Sequence, residues 1–536
     1  KRPNILLLFA DMQRGDTIGA LGNPHIRTPN LDRLVREGTA FTRCFTPSPV
    51  CVPARLSMHY GRWPQRTGCV FSAEAGKVRD DGSSYVSRLA RAGYRTHAIG
   101  KLEFTPVAAG KGFQSREIQE EFAADPAGDD YVRYLQANGY ADVLDPHGVR
   151  SDWYYVPQLA AMPAAAHPTQ WIGDRSVAFL KTASTAKPWY LTASFIHPHP
   201  PFALPSPWHR LYDSVDMPDP SVPEQWEAHL TWMNRIQNRY KYRDQGIDHR
   251  LIRQIRAAYY GCISFVDYQI GRIVHALERR GQLDNTLIMF ASDHGELLGE
   301  YNCFGKRSMH DASARVPMLA RLPGRFAAGQ VCTAPVSLVD VAPTMCAVGG
   351  AMKGNSYDGL PLHEIATGRH QREAVFSQHQ RGAQAEYLVA TRDWSLFWSA
   401  ADQREYVYHT AVDPLQQRLV SEAWHPREVA HLRELLQRFL YANGQRDAVT
   451  KTGGRLAWKL HARPRNHLVD PSAGLIVQRQ PWALAQSIIP GYTRPEQVAN
   501  QVPPQDVAAF IRRHPAAARY AGLTTTAKRR ARTTRR

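Results

Sequence analysis

The sequence predicts an α/β protein with a large, mostly parallel sheet covered by helices on both faces, and three observations lead there. Asn4 to Ala10 is an uninterrupted apolar run ending in Asp11, the pattern of a strand buried on both sides. Further strand-like runs alternate with segments of helical apolar spacing, the order that builds parallel sheets through crossover helices. Residues able to do chemistry recur where the strand-like runs end, and open α/β sheets gather their functional groups at those ends.

Taken in order, Thr28 is placed to cap a helix that has Pro29 in its first turn and stops at Gly38. Tyr85 to Ala92 reads as a helix and Tyr94 to Ile99 as a strand, with further strands at Trp189 to Phe195, Thr286 to Ala291 and Val316 to Leu322. Between them, Arg250 to Arg279 repeats apolar residues at helical spacing (Ile252, Ile255, Tyr259, Ile263, Val266, Ile270, Ile273, Leu277). Beyond about Gly350 the texture changes. Short strands are expected at Ala374 to Gln378, Tyr387 to Thr391, Ser395 to Trp398 and Glu405 to His409, then an amphipathic helix from Pro426 to Asn443. From about Thr450 the chain is rich in Arg, Pro and Gln with weak periodicity, as in an extension that wraps the body or a neighbouring copy and so supports a homo-oligomer. The expected division is a catalytic domain over 1–365, a smaller antiparallel sheet-and-helix subdomain over 366–450, and a basic extension over 451–536.

With 536 residues, 43% apolar and 21% charged, the chain can bury at least one large core. Its net charge of +18 favours anionic partners. Part of that charge sits in the run Lys528 to Arg536, a solvated tail rather than a nucleic-acid reader, and neither zinc-finger spacing nor an aromatic-interleaved basic motif is present. No apolar run is long enough to span a membrane. Lys1-Arg2-Pro3 leads straight into the first strand without a leader pattern, and the compartment is not legible. The seven cysteines (Cys44, Cys51, Cys69, Cys262, Cys303, Cys332, Cys346) include no C-x-x-C pair, which argues against a disulfide framework or a zinc cluster.

The strand ends carry Asp11, Lys101, His197 with His199, and Asp293-His294: carboxylates for a cation, an ammonium for an anion, imidazoles for proton transfer. Cys51-Val52-Pro53-Ala54-Arg55 is a C-x-P-x-R element. Around it stand Pro3-Asn4-Ile5-Leu6-Leu7, Ala10-Asp11, Arg27 to Leu34 and Glu37-Gly38. Gly61-Arg62, Gly93 to Thr96, Ile99-Gly100-Lys101, Pro198-His199-Pro200, Ser292 to Glu296, Gly305-Lys306 and Arg315-Val316-Pro317 follow. These blocks, in this order across most of the first 350 residues, resemble the formylglycine-dependent sulfatases and their phosphonate monoester hydrolase relatives.

The resemblance implies the alkaline phosphatase-like sandwich fold. It also implies a Cys51 converted by a formylglycine-generating maturation enzyme. A thiol would form a stable adduct with a sulfuryl group, whereas a hydrated aldehyde offers one hydroxyl to attack sulfur and a second whose deprotonation expels sulfate. Asp11, Cys51, Asp293 and His294 match the family's metal positions, for Ca²⁺ or else Mg²⁺ or Mn²⁺. Arg55, Lys101 and Lys306 match its cations around nucleophile and sulfate, and His199 its leaving-group acid. Two positions depart. Met12 stands where the family places Asp, Asn or Gln, and a thioether is a poor ligand for a hard ion, so Gln13 is the neighbour that could reach in. Glu103 stands where Gly-Lys-x-His places the second-step base, a task a buried carboxylate can take over. His97 and His310, near matching blocks, are read as structural. The substrate is expected to be an anionic small-molecule or carbohydrate sulfate ester. A phosphonate monoester or phosphodiester hydrolase and a non-catalytic binding protein remain as alternatives.

Overall fold

The computed structural model describes residues 2–464 apart from 122, 124–125, 151–153, 243–247, 353 and 355–356. Eight strands form the main sheet: β1 (Asn4–Ala10), β2 (Thr39–Phe41), β3 (Arg95–Gly100), β4 (Ser115–Ile118), β5 (Trp189–Ser194), β6 (Thr286–Ser292), β7 (Met318–Arg321) and β8 (Gln330–Cys332). Their spatial order is β8-β2-β7-β6-β1-β5-β3-β4. The five from β6 to β4 run parallel, and β7 lies antiparallel to both β6 and β2.

The unbroken apolar run of β1 follows from its central place. Ile5, Leu7 and Phe9 pack on one face with helices α3 (Tyr85–Arg91) and α6 (Val341–Val348). Leu6, Leu8 and Ala10 pack on the other with α1 (Pro29–Glu37), α4 (Pro168–Thr182) and α5 (His249–Arg279). This two-sided burial is the alkaline phosphatase-like arrangement expected from the sequence. Among the described residues no helix is long and apolar enough to cross a membrane.

A four-stranded antiparallel sheet follows: β9 (Val375–His379), β10 (Glu386–Ala390), β11 (Ser395–Ser399) and β12 (Arg404–Tyr408), paired in sequence order. Alternate side chains divide its faces. Tyr387, Val389, Leu396 and Trp398 pack under helix α7 (Pro426–Ala442), while Leu388, Ala390, Phe397 and Tyr408 pack on Phe45, Trp63 and Met309 of the main body. On the body-facing side sits Glu386, 1% exposed, neither carboxylate oxygen hydrogen-bonded; burial pushes its pKa up to about 8, against the pull of nearby Thr231.

The sequence reading does not include strands β2, β4 and β8 or helix α4, and it misplaces the boundary near Thr450. Strand β4 was not expected: Ser-Arg-Glu-Ile has one apolar residue, and its strand character comes from parallel pairing with β3 at the sheet edge. The segment after Thr450 does not begin as a wrapping extension. A hairpin of β13 (Val449–Thr452) and β14 (Arg455–Trp458) crosses that boundary and packs its Val449, Leu456 and Trp458 with α7. Gly453 and Gly454, at φ +56° and +82°, form its two-residue turn. Residues 465–536, most of the expected extension, lie outside the described residues.

Candidate active site

The five adjacent parallel strands each deliver side chains from their carboxyl ends. Asp11 follows β1, Lys101 and Glu103 follow β3, Glu120 and Glu121 follow β4, His199 follows β5, and Asp293-His294 follow β6. The turn after β3 requires glycine: Gly100 has φ +99°, and a Cβ there would lie 2.0 Å from the Ser194 carbonyl oxygen. Helix α2 (Cys51–Tyr60) starts at Cys51, so Cys51 and Arg55 share one face at i, i+4.

Asp11, Cys51, Asp293 and His294, all buried, bring one ligand atom each within 4.8 Å of one another. His294 Nδ1 lies 3.0 Å from the Gly295 carbonyl, which fixes the proton there and turns the Nε2 lone pair inward, 3.3 Å from Cys51 Sγ. The Oδ1 atoms of Asp11 and Asp293 lie 3.7 and 3.6 Å from the same nitrogen. Burial holds His294 down at about 4, so the ring is neutral, as a metal ligand must be. Despite burial, the Lys101, Lys306 and Arg55 charges hold the Asp11 carboxyl well below the usual carboxylate range.

Met12 enters this site through its backbone. It adopts a left-handed conformation, φ +68°, in which its N–H donates to Asp293 Oδ1 at 3.0 Å while its side chain is fully buried. The Tyr259 hydroxyl of α5 braces that turn, donating to the Met12 carbonyl at 2.8 Å and accepting from the Arg14 N–H at 3.0 Å. Gln13 is anchored by its N–H to Ser292 Oγ and by Nε2 to Thr17 Oγ1; its Oε1 is buried without a hydrogen-bond partner.

The cations divide into two kinds. Arg55 spends four of its five N–H donors inside the cluster: Nε donates to Asp293 (2.8 Å), Nη1 to the Lys101 carbonyl and Ser194 Oγ, and Nη2 to Asp11 (3.3 Å). Lys101, fully buried, faces three carboxylates: Asp11 at 2.5 Å, Glu121 at 2.6 Å and Glu103 at 3.1 Å. An ammonium has three donors, so in this geometry Lys101 has none left for an ester oxygen, whereas the fifth N–H of the guanidinium remains on Nη2. Lys306 differs. Its Nζ lies 2.6 Å from Cys51 Sγ and 3.2 Å from His199 Nε2, between nucleophile position and imidazole.

His199 Nδ1 lies 2.7 Å from the Pro200 carbonyl, which directs Nε2 to Lys306 and, at 3.6 Å, to Glu121 Oε1. His197 is turned away, its Nδ1 3.0 Å from Thr169 Oγ1. His97 lies on the sheet between Ser115 and Glu117, and His310 packs between Tyr301 and Tyr408; both are outside the cluster. Glu103, at φ +57°, is fixed by the Glu120 carboxylate, which accepts the N–H groups of Leu102 and Glu103 at 3.0 Å each. Burial raises the Glu103 pKa. Burial first, then the Asp11 and Glu103 charges, push the Cys51 thiol far up, leaving it a poor nucleophile as a thiol.

Sequence reasoning missed Glu121 and Arg150. Arg150 donates to Glu121 and to the Pro200 carbonyl (3.2 Å), and its guanidinium stands 5.4 Å over the Tyr154 ring. The signal for Glu121 was the strand-end rule itself, had β4 been recognised.

Residues 3–351 match the sulfatase family model, and residues 299–441 match that of the N-sulphoglucosamine sulphohydrolase C-terminal region. The chain is 29% identical over 465 residues to an arylsulfatase of Clostridium perfringens, covering 81% of this chain and 94% of that one. It is 30% identical over 448 residues to a choline-sulfatase of Rhizobium meliloti, covering 80% and 83%. The phosphonate monoester hydrolase of Agrobacterium radiobacter superposes with a TM-score of 0.70 at 23% identity, covering 86% and 100%, a likeness of fold. A family match over most of the chain, on a sheet whose strand ends converge on the C-x-P-x-R cysteine, shows that this protein belongs to the sulfatase family.

Proposed function

We propose that the protein hydrolyses sulfate esters at this site, with Cys51 converted to formylglycine and a hard divalent cation held by Asp11, Asp293, His294 and residue 51. The observation that carries the reading is the buried set of four donors within 4.8 Å, flanked by Lys306 and His199. Two carboxylates, a neutral imidazole lone pair and an oxygen at the position marked by Cys51 Sγ fit Ca²⁺, with Mg²⁺ or Mn²⁺ as the alternatives. Bound there, the cation supplies a lowered pKa at the nucleophile's hydroxyl and a sink for charge on the sulfate oxygens. Formylglycine supplies the hydrated carbonyl whose hydroxyl takes the place of Sγ.

The chain's own residues do the remaining work. Lys306 spans nucleophile and ester oxygens and steadies the charge that gathers there. Lys101 fixes Asp11 rather than the ester, and Arg55 fixes Asp293 and Asp11 with one Nη2 donor to spare. His199, as an imidazolium with its Nδ1 proton on the Pro200 carbonyl, gives its Nε2 proton to the leaving oxygen. Glu103, half-buried and with its pKa raised, accepts the proton in the second step, its Oε2 having no hydrogen-bond partner. Anionic sulfate esters of small molecules or carbohydrates fit the net charge of +18.

One observation favours a second reading, a phosphodiester or phosphonate monoester hydrolase. The buried cations Arg55 and Lys101 are matched by Asp11, Asp293, Glu103 and Glu121, and a site so balanced suits monoanionic esters of phosphorus as well as sulfur. Metal-loaded protein, with conversion of Cys51 checked by peptide mass spectrometry, is tested on sulfate monoesters, phosphodiesters and phosphonate monoesters in parallel. The highest kcat/KM is expected for a sulfate ester. Preference for a phosphorus ester establishes the second reading, and no turnover of any ester by converted, loaded protein establishes a binding protein.

A further inference from the structure

His199 is unusually placed for an acid. Lys306 Nζ stands 3.2 Å from Nε2, and Arg150 Nη2 stands 3.5 Å from Nδ1 while donating to the Pro200 carbonyl. The Tyr154 ring meets the imidazole edge-on at 6.3 Å, and the ring is 3% exposed. Two cations and burial together oppose a second proton on this ring. Among the described residues the carboxylate in ion-pair reach of it is Glu121, with Oε1 3.6 Å from Nε2.

Glu121 is held to that task from three sides. Its Oε1 accepts from Arg150, its Oε2 accepts from Lys101 at 2.6 Å, and the adjoining Glu120 N–H donates to Asp129 Oδ2 at 2.8 Å, tying the segment to the next helix start. Lys101 is in turn locked to Asp11. The carboxylate thus lies at a fixed distance from both the imidazole and the metal-side cluster.

We propose that Glu121 is a positioning residue for His199: its carboxylate holds the imidazole oriented and proton-bearing at Nε2, so that the leaving alcohol departs protonated. This rests on the sulfate-ester reading above. As the ester S–O bond breaks, its electron pair stays on the leaving oxygen, which takes the His199 Nε2 proton. The sulfur's new bond forms to the oxygen nucleophile at residue 51, whose hydroxyl proton has passed to solvent. The His199–Glu121 pair returns to neutral imidazole and carboxylate, and is recharged from water.

The consequence is selective. An alkyl alcohol is a poor leaving group and needs the proton, whereas 4-nitrophenolate departs without it. Glu121→Gln, which keeps size and one acceptor, is compared with the unaltered enzyme on an alkyl sulfate and on 4-nitrophenyl sulfate. The expected loss in kcat/KM is about 100-fold or more on the alkyl ester and below about tenfold on the nitrophenyl ester, the span of general-acid catalysis. His199→Ala should show the same split, and the double variant should lose no more than either alone on the alkyl ester. Retained nitrophenyl turnover reports that the fold survives. Equal losses on the two esters, or additive losses in the double variant, overturn the proposal. An unaltered, converted enzyme that cleaves neither ester overturns the functional reading, and this proposal with it.

Discussion

Glu386 offers a test of the seam between the two sheets, and its magnitude can be worked out. Its carboxyl titrates at an ordinary value of 4.5 in the unfolded chain and is pushed up to about 8 in the fold, chiefly by burial. Between those values the folded state binds more protons than the unfolded one, so stability falls as pH rises through this window. The linkage cost is ~1 kcal/mol at pH 5, ~3 kcal/mol at pH 7 and approaches ~5 kcal/mol above pH 8. Glu386→Gln removes the titration and leaves an amide in the same space, whose unmet hydrogen bonds cost a pH-independent ~1–3 kcal/mol. The variant should therefore be no more stable than the parent at pH 5 and more stable by ~1–3 kcal/mol at pH 8. Thermal melts of both proteins at pH 5, 6, 7 and 8 measure the gap. A difference in melting temperature that stays flat across the series would refute the reasoning, because it would mean that Glu386 finds a charge partner in the folded state.

Cys51→Ala should lower turnover by about 10⁴-fold or more with an unchanged melting curve, as loss of a nucleophile does; substantial residual activity would point to another nucleophile. Glu103→Gln should slow release of inorganic product more than the first cleavage, visible as a burst of leaving alcohol followed by a slow steady state; equal slowing of both phases counts against a second-step role. Tyr259→Phe removes the hydroxyl bracing the left-handed Met12 and should weaken Ca²⁺ binding by about fivefold, ~1 kcal/mol, in calorimetric titration; unchanged affinity would show that the turn holds unaided. Gly100→Ala should lower the melting temperature markedly, since both the φ of +99° and the Ser194 oxygen 2.0 Å away oppose a side chain there; a neutral substitution would mean that the β3 turn relaxes freely.

How much could be read beforehand depended on where the controlling interactions lie. β1 was legible to the residue because burial on both faces leaves an unbroken apolar run, and α5 because its apolar residues from Ile252 to Leu277 recur at helical spacing and are buried. The site residues borne on sequence blocks were legible as a set, yet their division of labour was not. Nothing local to Lys101 says that three carboxylates from separate strand ends consume its donors. Met12 looked like a missing ligand because its backbone contribution depends on a tyrosine 247 positions away. β4, Glu121 and Arg150 escaped for a common reason: a half-exposed edge strand and the loops beyond it carry no periodicity, so only the assembled sheet reveals them.

The second sheet does more than sit beside the catalytic body. The Gln378 N–H donates to the Pro47 carbonyl and the Gln380 N–H to the Val70 carbonyl, clasping the segments on either side of α2 with groups more than 300 residues later in the chain. Until β9 has been synthesised this clasp does not exist, and the segments on either side of α2, which begins at Cys51, lack it. At about 5–20 residues per second, translation leaves an interval of roughly 15–65 s between the two. The two sides of the clasp thus meet on a clock set by the ribosome, and moving the later strand earlier in the gene, by circular permutation, would shorten it.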